Sequence, residues 1–142
     1  MRDIEFRGKR SNGEWVYGYL VVANGKYYIL PDAADFSYGD NGNRIRIGCF
    51  VEVDPNTVGQ YTGLKDKNGV KIYEGDILHV VSFMYDYKTN VGARNGYMNG
   101  FYVDGDFGDA DFTILDWAAD YWRDDDAEVE VIGNIHDNPE LL

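Results

Sequence analysis

One cysteine stands among 142 residues. Cys49 therefore has no partner for a disulfide within the chain, and a reducing compartment is its natural setting. Histidine is almost as scarce, with His79 and His136 alone. Two imidazoles and one thiol cannot supply the four ligands of a structural zinc site. No apolar run is long. Leu20-Val21-Val22-Ala23 falls far short of the roughly 20 residues a membrane-spanning helix needs. The opening, Met1 to Arg7, alternates charged and apolar side chains and lacks the apolar core of a secretory signal. The expectation is a cytoplasmic protein, in the host cell that makes it, with no membrane partner. The Gly-x-x-x-x-Gly-Lys phosphate loop and the His-Glu-x-x-His metal motif are both missing.

Positive charge is also scarce, but only in part of the chain. Residues 1–80 hold ten basic and eleven acidic side chains, whereas residues 81–142 hold three and fourteen. Nearly all of the net charge of −12 thus lies in the second part. Such a field repels phosphate backbones and disfavours direct nucleic-acid binding. Asp124, Asp125, Asp126, Glu128 and Glu130 form a candidate acidic surface.

What the chain has in quantity is aromatic and β-branched residues. Aromatics make up 15% of the chain, with twelve tyrosines, which is too apolar for a disordered segment. Alternation of period two dominates the first hundred residues. Ile4 and Phe6 alternate with Glu5 and Arg7, and Trp15, Tyr17, Tyr19 and Val21 alternate with their neighbours. Asn24-Gly25 follows, then Lys26-Tyr27-Tyr28-Ile29-Leu30 returns. Asn-Gly between β-rich runs predicts a two-residue hairpin, because both central residues must take positive φ.

Residues 31–43 read as a loop. Arg44-Ile45-Arg46-Ile47 and Phe50 to Val53 read as short strands, and Asp54-Pro55 as a break in the ladder. Residues 56–71 read as a turn-rich connector, and Ile77 to Phe83 as a central strand. The polar residues 86–100 carry no strand signal. Residues 111–122 are the one helix candidate, with Phe112, Leu115 and Ala119 on one face and Ile114, Trp117 and Tyr121 on another. Glu128 to Val131 alternates as a last strand. The fold class is thus mainly β: a compact barrel-like or two-subdomain antiparallel architecture with one short helix near residues 111–122. It forms a single domain over residues 1–142, or two β subdomains, 1–54 and 70–142, joined by the connector.

Three stretches carry a family resemblance. The first is Arg2-Asp3-Ile4-Glu5-Phe6-Arg7-Gly8-Lys9 with Gly13-Glu14-Trp15-Val16-Tyr17-Gly18-Tyr19. The second is Val53-Asp54-Pro55-Asn56-Thr57-Val58-Gly59-Gln60-Tyr61-Thr62-Gly63-Leu64-Lys65-Asp66-Lys67-Asn68-Gly69, continuing through Ile72-Tyr73-Glu74-Gly75-Asp76-Ile77. The third is Glu130-Val131-Ile132-Gly133-Asn134-Ile135-His136-Asp137-Asn138-Pro139-Glu140-Leu141. In order along the chain, these resemble the YopX family of bacteriophages and prophages of Gram-positive hosts. The resemblance implies a β-dominated fold in a phage-encoded protein and brings no catalytic set with it.

Each sharper motif competes with a plainer one. The glycines of the middle stretch permit repeated turns, and Tyr61, Thr62, Lys65, Asp66 and Lys67 are the candidate interaction loop on them. Asp76, after Glu74-Gly75, reads as a cap on turn amides. The acidic loop from Asp104 to Asp111 lacks the glycine and glutamate spacing of a calcium loop. No catalytic, cofactor-binding or metal-ligating set stands out, and no cofactor is expected. The leading expectation is a phage- or prophage-encoded accessory protein, not an enzyme, acting by protein–protein contact. Its expected partners are a host or phage protein and another copy of itself. The alternatives are a nucleic-acid-binding module using Arg2, Arg7, Lys9, Arg10, Arg44 and Arg46, and an acidic mimic of nucleic acid that blocks a host protein.

Overall fold

The Asn24-Gly25 hairpin forms as its turn chemistry dictates. Both residues take positive φ, 53° and 74°, and Ala23 faces Lys26 across a two-residue loop. The computed structural model describes residues 4–31, 36–38, 45–47, 50–94, 100–104 and 112–142. The chain divides into two compact units, Met1–Tyr61 and Thr62–Leu142.

The first unit holds β1 (Phe6–Lys9), β2 (Trp15–Ala23), β3 (Lys26–Pro31), β4 (Phe36–Tyr38), β5 (Ile45–Ile47) and β6 (Val51–Lys65), whose residues from Thr62 on belong to the second unit. β1 pairs with β2, β2 with β3, β3 with β6, and β6 back with β1, all antiparallel. These four strands close into a small barrel-like ring, which removes the open edges a flat hairpin sheet would expose. Ile29, Leu30 and Val53 are buried there. The closure is tight at two glycines. A Cβ on Gly8 would lie 2.7 Å from Val53 Cγ2, and one on Gly18 would lie 1.9 Å from the Leu30 carbonyl oxygen. Arg7 is buried with its guanidinium 4.8 Å from the Trp15 ring centroid, and Lys9 Nζ lies 5.8 Å from the same ring.

Two sequence expectations need correction in this part of the chain. Residues 31–43 contain a strand, β4, which pairs with β5. The connector expected over 56–71 is extended as far as Lys65, and Asp54-Pro55 does not end the strand. β6 instead bulges. Between Arg7↔Gly59 and Lys9↔Asp54, β1 advances two residues while β6 advances five. Proline is tolerated in such a bulge because no ladder bond is asked of it. Thr57 Oγ1 fills the gap, accepting from Lys9 N–H at 2.8 Å and donating to the Asp54 carbonyl at 2.7 Å.

The second unit holds β7 (Lys71–Tyr73), β8 (Asp76–Val81), β9 (Asp86–Asn90), β10 (Gly92–Arg94), β11 (Gly100–Asp104), β12 (Phe112–Ile114), α1 (Leu115–Asp124), β13 (Glu128–Asn134) and a 3-10 turn, Pro139–Leu141. β8 lies between β13 and β9, while β11 lies between β10 and β12. The core gathers Ile72, Leu78, Val80, Val91, Val103, Leu115, Ala118 and Trp122. Strands β9 and β10 form where the polar composition of 86–100 gave no strand signal. β9 flanks the central β8 with one side in water, a position that accepts polar side chains. Thr89, buried on β9, accepts from Asp104 N–H at 3.1 Å.

The helix starts later than its sequence pattern suggests. Phe112-Thr113-Ile114 pairs with β11 as β12, in keeping with its aromatic and β-branched content. The buried face of α1 is Leu115, Ala118 and Trp122, whereas Trp117 is 62% exposed. Trp122 Nε1–H donates to Tyr87 Oη at 2.7 Å. Cys49, Arg2, Arg44 and residues 105–111 of the acidic loop lie outside the described residues, as does the side chain of Arg46.

Candidate functional site

The middle stretch buries most of its candidate binding side chains. Tyr61 and Thr62 are buried. Tyr61 N–H donates to the Glu5 carbonyl at 2.7 Å, and Thr62 Oγ1–H donates to the Ile72 carbonyl at 2.8 Å. Asp66, also buried, accepts with Oδ1 from Asn68 N–H and Val70 N–H, at 2.8 and 2.9 Å. Its Oδ2 accepts from Val131 N–H at 3.0 Å, where a neighbouring strand would otherwise pair with β13. Burial alone would raise the pKa of this carboxyl. The three backbone donors, with Lys67 nearby, outweigh it and hold the pKa below its ordinary value. Of the candidate loop, burial thus removes Tyr61, Thr62 and Asp66 from any binding surface. Lys65 and Lys67 remain accessible.

The acidic candidates split in the same way. Lys67 Nζ lies 3.3 Å from Glu128 Oε2 and 3.7 Å from Glu130 Oε2. The Glu128 hydrogen bond and charge, with Glu130 adding, raise the pKa of Lys67. Asp125 accepts from the Tyr85 hydroxyl at 3.2 Å. Burial, with this bond and the Asp125 charge, raises the pKa of that phenol. Asp124 and Asp126 are exposed. Asp76 is buried and accepts from Tyr73 N–H at 2.7 Å, the turn cap its sequence predicts. Among the described basic candidates, Arg7 is buried against Trp15 and Arg10 pairs with Glu14 at 3.1 Å. Among the described residues, no group of three or more His, Cys, Asp or Glu side chains converges as for a metal ion.

Between these surfaces the second unit has a groove of about 420 Å³. Leu64, Ile72, Leu115, Trp122 and Val129 line it. They come from the end of β6, from β7, from α1 and from β13. Lys65, Lys67 and Arg123 stand at its rim, with Asp126. Arg123 pairs with Asp120 one turn back on the helix. Lys65 has no ion pair among the described residues. No sequence motif announces this site, because its lining comes from four separate segments. The nearest signal was the lysine pair of the candidate loop, which flanks a buried Asp66. The groove can hold an apolar group and present cations beside it. No helix is long and apolar enough to cross a membrane among the described residues.

The fold defines a mainly antiparallel β protein, and a family model described as YopX protein matches residues 5–142. The chain belongs to the YopX family. It is similar to the crystal structure of protein EF1440 from Enterococcus faecalis, with a TM-score of 0.65 and 26% identity. That likeness covers 100% of this chain and 99% of the other. No curated protein matches the chain.

Proposed function

We propose that this YopX protein is a phage- or prophage-encoded accessory protein that works in the host cytoplasm by binding another protein, without catalysing a reaction. The groove carries this reading. It joins an apolar floor to a rim where Lys65 stands without an ion pair among the described residues, within the part of the chain that is otherwise most acidic. A volume of about 420 Å³ suits a pair of apolar side chains, and the rim favours acidic residues beside them. Hydrogen bonding and burial take up Asp66 and Arg7, and Lys67 neutralises part of the charge on Glu128 and Glu130. Those losses weaken the nucleic-acid and acidic-mimic alternatives relative to the groove.

Ala119→Trp fills the groove from the partly exposed side of α1 and tests the reading. A variant that still unfolds cooperatively in urea should lose the protein that the wild type captures from host lysate. Charge reversal at Asp124 and Asp126 should leave that capture in place. The opposite pattern, with capture surviving Ala119→Trp and lost on charge reversal, overturns the groove and favours the acidic surface.

A further inference from the structure

The β8–β9 hairpin ends in two large apolar side chains that no described residue covers. Phe83 is 88% exposed and Met84 68%. The turn that presents them is rigidly built. Ser82 N–H donates to the Tyr85 carbonyl at 2.8 Å, and Ser82 Oγ accepts from Met84 N–H and Tyr85 N–H at 3.0 and 3.2 Å. The Tyr85 hydroxyl then ties the turn to Asp125, just past the end of α1. A flexible tip could fold its apolar side chains back onto the sheet, but this one is held outward. Little ordering is left to do when it is buried, which favours association.

The flanks of this tip are acidic. Asp86 follows it, with its side chain 70% exposed and 2.7 Å from His79 Nε2, and Asp125 lies against Tyr85. The rim of the groove carries Lys65, Lys67 and Arg123; Lys67 and Arg123 are paired with Glu128, Glu130 and Asp120, whereas Lys65 has no ion pair among the described residues. Tip and groove thus complement each other twice, apolar to apolar and Asp86 to Lys65. They also share a neighbourhood, because Tyr85 binds Asp125 while Arg123 and Asp126 border the groove. An isologous dimer needs two complementary patches side by side on one surface. We infer that the groove receives the Phe83–Met84 tip of a second copy of this chain, each copy giving its tip and taking the other's. This rests on the groove being a protein-binding site and names its occupant.

Sedimentation velocity from about 1 μM to about 1 mM, the range of weak to moderate affinities, tests it. The wild type should pass from monomer to dimer. Phe83→Ser with Met84→Ser, at exposed positions that leave the fold intact, should weaken the dimer at least about tenfold. Ala119→Trp should do the same from the groove side. Mixing the two variants should restore association, because one tip and one groove remain intact in the mixed pair. A wild type that stays monomeric throughout overturns the inference, as does a tip variant that dimerises like the wild type. If the wild type is monomeric while Ala119→Trp still loses a host protein, the groove reading stands and its occupant is another protein's apolar segment. If Ala119→Trp loses nothing, the groove reading itself fails.

Discussion

Asp66 shows how a side chain that looks like a binding group can be a piece of architecture. Its carboxylate takes three backbone N–H groups, from Asn68, Val70 and Val131. Asp66→Asn keeps the shape but turns an amide donor toward a donor. The cost should be about 1–3 kcal/mol at neutral pH, the range for leaving a buried partner unsatisfied. The pH dependence follows from the lowered pKa. The contribution is full above the ordinary aspartate value of about 3.9 and is lost as pH falls toward the folded-state value. Urea unfolding of wild type and variant should therefore show a gap at pH 7 that narrows below about pH 4. A gap that stays constant across that range would rule out the carboxylate as its source. Residue types marked Asp66 as notable, and turn chemistry favoured a structural role. Its third donor, 65 residues away on β13, was not legible, because only the tertiary fold brings Val131 there.

Among the elements, β6 gives the sharpest contrast between local pattern and structure. Asp54-Pro55-Asn56 has every mark of a chain break, and in a flat sheet it would be one. In a closed ring it is the place where one strand must serve two neighbours, β3 through Val51–Val53 and β1 through Asp54–Gln60. The bulge gives the strand its bend. Helix α1 was legible as an element but not as to its face, since Trp117 and Trp122 compete for the core and only contact with β11 and β12 decides between them. The hairpin at Asn24-Gly25 was fully legible because its geometry is set within four residues. For the bulge, Thr57→Val removes both the acceptor for Lys9 N–H and the donor to the Asp54 carbonyl. The loss should be about 1–2 kcal/mol. Residue-resolved amide exchange should place it on β1 and β6 up to Tyr61, with β8 and β13 unchanged. Equal loss of protection on β8 would argue against a role confined to the ring.

Charge divides the whole molecule as contacts do. Residues 1–61 carry seven basic and eight acidic side chains, and residues 62–142 carry six and seventeen. The second unit therefore works against its own repulsion when it folds, and the first does not. Ion pairs offset little of this. Lys67 with Glu128 and Glu130 is largely exposed, as is Arg123 with Asp120, and exposed pairs of this kind contribute little. Salt acts on both terms with opposite signs. Screening weakens the few attractions, but it weakens the many repulsions more, since the Debye length shrinks to about 10 Å near 0.1 M. Raising sodium chloride from about 20 mM to about 300 mM should therefore increase amide protection across β8, β13 and α1. Protection across β1 to β3 should change much less. The comparison is made at a protein concentration where sedimentation velocity shows monomer at both salt levels, so that dimer formation adds nothing to either. A second unit that loses protection as salt rises would mean that its ion pairs outweigh its excess of acid. That result would also weaken the case for Asp86 of the tip steering toward Lys65 of the rim, because both rest on charge acting at a distance.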